Sequence, residues 1–597
     1  MAADEVAGWL ADPRPYNKGK HRGAWAGAIE DLIDSLSRLG PHAQKALADE
    51  LAATRAALAG FPGQADSPDR APAQTAVETL RRRWNDPLVW EAAWRDLLDA
   101  CRDDGTSYDV LAARRDLLWR LAAFTQRPPL DLSERLSSVL DRSPCAVPQA
   151  RLRLGESTAA MPGAETEPDA HPEVSEEELL ELCRRLLLQP PTSGRHVVWL
   201  AFVNAASPRV VERTGALTLY DGNCLRERLR EHAATPQADI PEELLNPRNP
   251  ISIGYRFVPE GDDVVLIRAD LGEGTFGDAV QTARERVHAL VGLARFRTAD
   301  HAWQPLHGYL HALDGRVVRV ERFRPAEPSR RRPRESPVGH TLTSLTATLW
   351  DKLARANADL AHTAAAVHWW EQAQLQPSPA ALVLNVRVLE VTATRVAIPD
   401  WISYLDTYLQ SGWIRAVMYD TLFQTVNAAL ADAEHAVVDH HGELRALVQT
   451  FHAPQATSIA GFDAVAALAA LPRLQEIYPL HTRTGRRLLH LSSRLQSPAT
   501  LAAWSEELSE RWKRARNRLR RSRNAIAHGG PVIGQVIASL DDMSRYLAAW
   551  SLSLLLDGTD TGQALVQPHQ SFCEDADRWR QGLPSASDVG TALFPDA

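Results

Sequence analysis

The sequence predicts a multidomain, mainly α-helical protein: an N-terminal helical region, a central small α+β domain and a C-terminal helical domain. Its 597 residues exceed what one hydrophobic core usually holds and suggest about three or four domains. Apolar residues recur at helical spacing over most of the chain, whereas strand-like runs are confined to its middle. Two segments without periodicity, 144–173 and 324–338, are rich in proline and are interpreted as linkers.

The N-terminal region, residues 1–143, is predicted to be helical because its apolar residues, from Trp25 onward, recur every three or four positions. Residues 174–323 change character, since a short helix at 176–187 leads into β-branched runs. These runs, and an amphipathic pattern at 278–294 among them, predict an α+β domain with a largely antiparallel sheet. The predicted strands cover residues 196–203, 216–220, 251–258, 264–268 and 317–323.

The C-terminal region, 339–560, is predicted to be a helical domain with long inserted helices between 400 and 490, followed by a C-terminal tail at 561–597. One segment within it, 381–394, is ambiguous. Alternation and β-branching favour a strand, whereas the spacing of Leu382, Val386 and Leu389 fits a helix.

Composition excludes several classes of protein. The net charge is -9, so any nucleic-acid site must come from a local concentration of positive charge. The five cysteines show no CxxC spacing, and no glycine-rich phosphate or dinucleotide motif occurs, so neither a metal nor a cofactor is predicted. His307 and His311 have the spacing of helical metal ligands, but the neighbouring strand pattern argues against that use. The absence of a long apolar run and of a secretion signal predicts no membrane contact and a cytoplasmic location.

One helix contains the residues that indicate a function, and it is predicted to end at His528. Gly529, Gly530 and Pro531 follow directly, which is typical of a helix C-terminus. A stripe facing the core is predicted at Trp504, Leu508, Trp512, Ala515, Leu519, Ser522 and Ile526. With Ile526 at the centre of the buried face, Asn524 and His528 fall on the opposite side and Arg523 on the flank.

The same helix carries a dense basic run. Between residues 511 and 523 there are eight basic residues and no acidic ones, which predicts a local anion-binding surface in a chain that is acidic overall. The residues expected to contact RNA are Lys513, Arg516, Arg520 and Arg521.

Arg523 and His528 have side chains suited to RNA cleavage without a metal. An imidazole can take or give a proton near pH 7, and a guanidinium can stabilise the extra charge on a phosphate. The two residues are five apart, about 140° around the helix axis. They can act on one phosphate only if the last turn distorts, if Arg523 reaches round, or if a second copy of the helix supplies the partner.

The motif Arg523-Asn524-Ala525-Ile526-Ala527-His528 resembles that of the HEPN superfamily (higher eukaryotes and prokaryotes nucleotide-binding), and the stretch from His368-Trp369-Trp370-Glu371 to Leu389-Glu390 is similar to the earlier helices of its Apea-like group. The resemblance covers roughly residues 340–560. It implies a helical bundle, usually dimeric, and it favours a helix at 381–394. By the same resemblance Arg523 and His528 are catalytic, Asn524 orients the site and Glu390 supports it.

HEPN proteins include metal-independent endoribonucleases of antiviral defence and toxin systems. The resemblance therefore implies such an effector, acting as a homodimer on RNA, with the remaining regions sensing a trigger or recruiting a regulatory partner protein. The alternative is a non-catalytic HEPN adaptor that binds RNA or another protein. A third interpretation makes His528 a surface residue at a helix end and the basic run a solvated face.

Overall fold

The fold is described from a computed structural model. It is mainly helical and contains one small antiparallel sheet. The residues described are 2–11, 19–59, 69–125, 127, 129–142, 146–156, 174–190, 193–205, 210–232, 240–245, 259, 263–276, 278–298, 303–324, 358–374, 376, 378–431, 440, 442–444, 446–447, 463–561 and 564–595.

The chain divides into two compact units. Unit 1 combines Met1–Leu118 with Val338–Ala597, and unit 2 is Trp119–Pro337. Unit 1 thus brings together the two helical regions that the sequence analysis treats as separate domains. Their packing against each other joins residues several hundred positions apart, which no local pattern in the sequence records.

The N-terminal part of unit 1 is a set of short helices. Trp25, Leu32, Leu47 and Leu80 are fully or almost fully buried in their common core. The helices are α1 (Ala2–Ala11), α2 (Gly19–Ser37), α3 (Pro41–Ala46), α4 (Ala48–Ala59), α5 (Arg70–Arg83) and α6 (Pro87–Arg102), and α7 (Tyr108–Phe124) crosses the boundary to unit 2.

The C-terminal part of unit 1 is a helical bundle with a separate and larger core, to which Leu389, Trp413, Trp512 and Leu519 belong. Its helices are α14 (Ala358–Gln374), α15 (Ser378–Arg395), α16 (Trp401–Tyr404), a π-helical turn at Leu405–Leu409, α17 (Gln410–Ala431), α18 (Ala464–Ile477), α19 (Arg483–Arg494), α20 (Pro498–His528), α21 (Gly534–Ala538), α22 (Asp541–Thr561), α23 (Val566–Gly582) and α24 (Val589–Leu593).

For two segments of the bundle, the structure can be compared directly with the interpretation from the sequence. The ambiguous segment 381–394 lies inside helix α15, where Leu382, Val386 and Leu389 are fully buried. Residues 561–597, interpreted above as a tail, contain α23 and α24 instead. These helices place Trp579 and Leu593 in the core of the bundle, so burial of apolar side chains holds this segment in place.

Unit 2 contains helices α8 (Pro129–Leu140), α9 (Ala146–Arg153), α10 (Glu176–Leu188), α11 (Gly222–His232), α12 (Glu242–Leu245) and α13 (Ala279–Thr298). Its strands are β1 (Gly194–Val203), β2 (Val211–Thr214), β3 (Leu217–Asp221), β4 (Val264–Gly274), β5 (Gln304–Pro305), β6 (His307–Leu313) and β7 (Arg316–Arg324). All described pairings are antiparallel, in the order β2-β3-β4-β1-β6-β7, with β5 also pairing with β1. Helix α9 lies in the first predicted linker.

Strand β1 is apolar on both sides because helices cover both faces of the sheet. Val198 and Phe202 pack towards α13, whereas Trp199 packs with side chains of α11 and α12. The predicted strands at 196–203, 216–220, 264–268 and 317–323 correspond to β1, β3, β4 and β7. Residues 251–258, 157–173 and 325–338, which were predicted as a strand and as linkers, lie outside the described residues.

The histidine pair with metal-ligand spacing lies on strand β6, so the helical geometry behind that spacing does not apply. His311 Nε2 lies 2.9 Å from Nδ1 of His196 on the neighbouring strand β1. Burial lowers the pKa of His311 to about 4. Among the described helices, none has the length and apolar character needed to cross a membrane.

Candidate functional site

Helix α20 is fixed at both ends by local interactions. Ser497 and Thr500 form a reciprocal capping box at its start, and Pro498 occupies the first turn. At its end, Gly529 adopts a left-handed conformation with φ of 70°, and the backbone N–H groups of Gly529 and Gly530 donate to the carbonyl of Ala525. The α-helix therefore continues regularly as far as His528, without a distorted last turn.

The predicted core stripe of α20 is largely buried. Trp504, Leu508, Trp512, Leu519 and Ser522 are buried, whereas Ala515 and Ile526 are only partly so. In the last turns the buried face is rotated from the predicted one, since Arg521 and Ala525 are 5% and 4% exposed. The rotation arises because α1 covers this side, where Trp9 and Pro531 line a small pocket together with Ala525.

Arg521, which was expected to contact RNA, lies in a buried ion cluster with the N-terminal helices. Its guanidinium donates to Glu5 Oε1 at 3.1 Å and to Asp31 Oδ2 at 2.5 Å. Burial alone would lower the pKa of Arg521, but the charges of Glu5 and Asp31 outweigh it and raise the pKa. Arg521 is thus engaged by the protein itself while α1 and α2 are in place.

Arg516, a second expected RNA contact, is also engaged within the bundle. Its guanidinium forms an ion pair with Asp406, which lies in the π-helical turn. Asp406 also accepts a hydrogen bond from Trp512 Nε1 at 3.0 Å, so it holds two side chains of α20. The two remaining expected contacts are exposed: Lys513 pairs with Glu510 of its own helix at 2.6 Å, and Arg520 lies at the surface.

The motif residues Arg523 and Asn524 are brought together with Glu390 of α15. Arg523 Nη2 lies 2.5 Å from Glu390 Oε1, and Nη1 donates to Asn524 Oδ1 at 3.3 Å. Glu390 also accepts a hydrogen bond from Arg387 at 3.0 Å. The Arg523 and Glu390 side chains are 25% and 21% exposed, so the pair is partly shielded from water. His528 is exposed at the last position of the helix.

A line of side chains along α20 faces outward. It lies between the arginines that pair with the N-terminal helices and those that pair with carboxylates of the bundle. We define this outer strip as Lys513, Asn517, Arg520, Asn524 and His528, of which Asn524 is partly buried and the others are exposed. The spacing of 4, 3, 4 and 4 residues keeps them on one side over about 22 Å. The strip is what remains of the predicted RNA surface once the partnered arginines are set aside.

Four acidic partners of α20 were not predicted from the sequence: Glu5, Asp31, Asp34 and Asp406. They come from three distant elements, and nothing near them in the sequence marks them. One signal was available: a run of eight basic residues without an acidic neighbour, on a helix that packs in a bundle, needs carboxylates from elsewhere.

In the part of the chain that the structure describes, no group of three or more His, Cys, Asp or Glu side chains could hold a metal ion. The described cysteines, Cys101, Cys183, Cys224 and Cys573, are free. Comparison with known protein families, with curated proteins and with solved structures gives no match for this chain.

Proposed function

We propose that the C-terminal bundle is a HEPN-type, metal-independent endoribonuclease, the effector of a prokaryotic antiviral defence or toxin-like system. The observation that carries the proposal is the arrangement at the end of α20. There Arg523 is held by Glu390 and lies beside Asn524, and His528 follows, exposed, at the last residue of the helix.

In the proposed reaction Arg523 binds a non-bridging oxygen of the scissile phosphate and stabilises the charge that develops there. His528 takes the proton of the adjacent 2′-hydroxyl. The 2′-oxygen then bonds to phosphorus, the bond to the 5′-oxygen breaks, and an imidazolium returns a proton to that oxygen. The products are a 2′,3′-cyclic phosphate and a 5′-hydroxyl.

The regular last turn makes a homodimer part of the proposal. Arg523 and His528 lie about 140° apart around the helix axis, so one copy of α20 does not readily direct both at the same phosphate. A second copy related by a twofold axis supplies a second arginine and a second imidazole, one to accept the proton and one to donate it. The outer strip is the surface of α20 on which RNA would lie, with Lys513 and Arg520 as its cations.

A non-catalytic adaptor is the second candidate, and one observation favours it. Five of the eight basic side chains between 511 and 523 pair with carboxylates on other helices: Arg514, Arg516, Arg518, Arg521 and Arg523. The cationic surface left for RNA is therefore smaller than the sequence predicts. A smaller cationic surface fits a protein that binds a partner without cleaving RNA.

Incubation of the purified protein with RNA in EDTA separates the two candidates. We expect cleavage by the wild type and a loss of about 10²- to 10⁴-fold in His528→Ala and in Arg523→Ala. His481→Ala is the matched control, because His481 is an exposed histidine of the same unit outside the motif. Cleavage at the wild-type rate by both motif variants would contradict the nuclease. RNA binding without cleavage by the wild type would support the adaptor.

A further inference from the structure

The contact between α20 and the first two helices is built from a ladder of opposite charges. Arg514 lies 3.5 Å from Asp34, Arg518 lies 3.2 Å from Asp31, and Arg521 bridges Asp31 and Glu5. Because the residue numbers rise along α20 as they fall along α2, the two helices run antiparallel side by side. Three arginines spaced 4 and 3 apart form one face of α20, and that face meets the N-terminal carboxylates.

The hydrophobic cores on the two sides of this contact are separate. Trp9, Trp25 and Leu32 belong to the core of the N-terminal helices, whereas Trp512 and Leu519 belong to the core of the bundle. The charge ladder is therefore a contact between two cores, each of which is packed by its own helices.

Close approach of the backbone completes the contact. A Cβ atom on Gly27 of α2 would lie 2.6 Å from a terminal nitrogen of Arg521, so glycine lets α2 come directly against the guanidinium. Next to it, α1 meets the end of α20 around a small pocket, lined among others by Glu5, Trp9 and Pro531. On this regular helix Arg521 lies about 160° around the axis from Arg523 but within about 20° of His528, two turns further on. The contact therefore borders the candidate site on the His528 side.

We propose that α1 and α2 form an autoinhibitory lock, in which Glu5, Asp31 and Asp34 occupy the cations that an RNA phosphate backbone would otherwise bind. The inference rests on the proposed function, because it takes RNA as the ligand of α20. Carboxylates and phosphates bind guanidinium groups by the same charge-assisted hydrogen bonds, so they compete for the same arginines. Opening the lock adds Arg514, Arg518 and Arg521 to the cations of the outer strip.

The first test measures RNA binding in a His528→Ala background, so that cleavage does not interfere. The lock is weakened by Glu5→Gln with Asp31→Asn, and the matched control is Glu30→Gln with Asp49→Asn, which removes two exposed carboxylates from the same N-terminal helices. We expect the Glu5→Gln, Asp31→Asn protein to bind a fluorescent oligouridylate about tenfold or more tightly than the control protein. A difference of this size is expected when the binding-competent state of the unmodified lock is populated at about a tenth or less. Equal affinity of the two variants would overturn the lock.

The second test uses the unmodified lock, in case the double variant fails to fold. Hydrogen exchange of residues 2–11 and 25–37 is measured with and without the oligouridylate. We expect faster exchange when RNA is bound, because the helices leave α20. Unchanged exchange with RNA bound, or no binding of RNA to any variant, would overturn the lock. Neither test requires cleavage, so an inactive wild type that binds RNA with these changes would reject the nuclease and keep the lock.

Discussion

Replacing Arg521 with alanine is expected to destabilise unit 1 strongly. The substitution leaves the carboxylates of Glu5 and Asp31, both 7% exposed, without the guanidinium that bridges them. Removing one partner from a buried ion cluster typically costs about 3–5 kcal/mol, because the remaining charge stays desolvated. Asp31 keeps its contact with Arg518, so the lower half of this range is expected.

The expected loss converts into a measurable change in melting temperature. Unit 1 spans roughly 380 residues, for which the unfolding entropy is about 0.8 kcal/mol/K, so a loss of about 3–4 kcal/mol lowers Tm by about 4–5 °C. Calorimetry gives the shift in Tm, and urea unfolding followed by tryptophan fluorescence gives the free energy of unfolding.

Arg520→Ala is the matched control, since it removes an exposed arginine one position away on the same helix. It should cost less than about 1 kcal/mol. If Arg521→Ala costs no more than this control, then water screens the cluster. Burial would then not make the Arg521 cluster stabilising, and the geometry on which the lock depends would be refuted.

Three further outcomes are expected. Burial lowers the pKa of His569 to about 4, against an ordinary value of 6.5, so the unfolded chain binds this proton more readily and stability is lost as the pH falls from about 6.5 to 4, by about 3 kcal/mol. Acid unfolding should therefore be less steep in His569→Leu, and an unchanged slope would contradict this. Gly529→Ala places a Cβ at φ of 70° and should cost about 1 kcal/mol in urea unfolding, with a smaller cost for asparagine; equal costs would argue against the left-handed cap. Glu390→Ala removes the group that holds Arg523 and should slow RNA cleavage by about 10- to 100-fold, whereas Arg387→Ala should leave it nearly unchanged; equal effects of the two would show that Glu390 does not position the arginine.

Local patterns predicted much of the fold. Helical periodicity indicated the mainly helical class and most of the buried stripe of α20, and β-branched runs indicated β1, β3, β4 and β7. Strand β6 (His307–Leu313) was missed because its polar and apolar residues follow no clear alternation. The glycines after His528 located the end of α20, since capping depends only on the residues at the helix terminus.

The candidate site was likewise predicted only in part from the sequence. The sequence by itself determined the motif, its place at a helix end and the exposure of His528. Only the tertiary structure decided which arginines of α20 remain at the surface and which are paired. Arg521 meets carboxylates of Glu5 and Asp31 from the other end of the chain, and Arg523 meets Glu390 from another helix. Periodicity and capping act between neighbours in the sequence, whereas the partner of a charged side chain is set by which helices pack together in space.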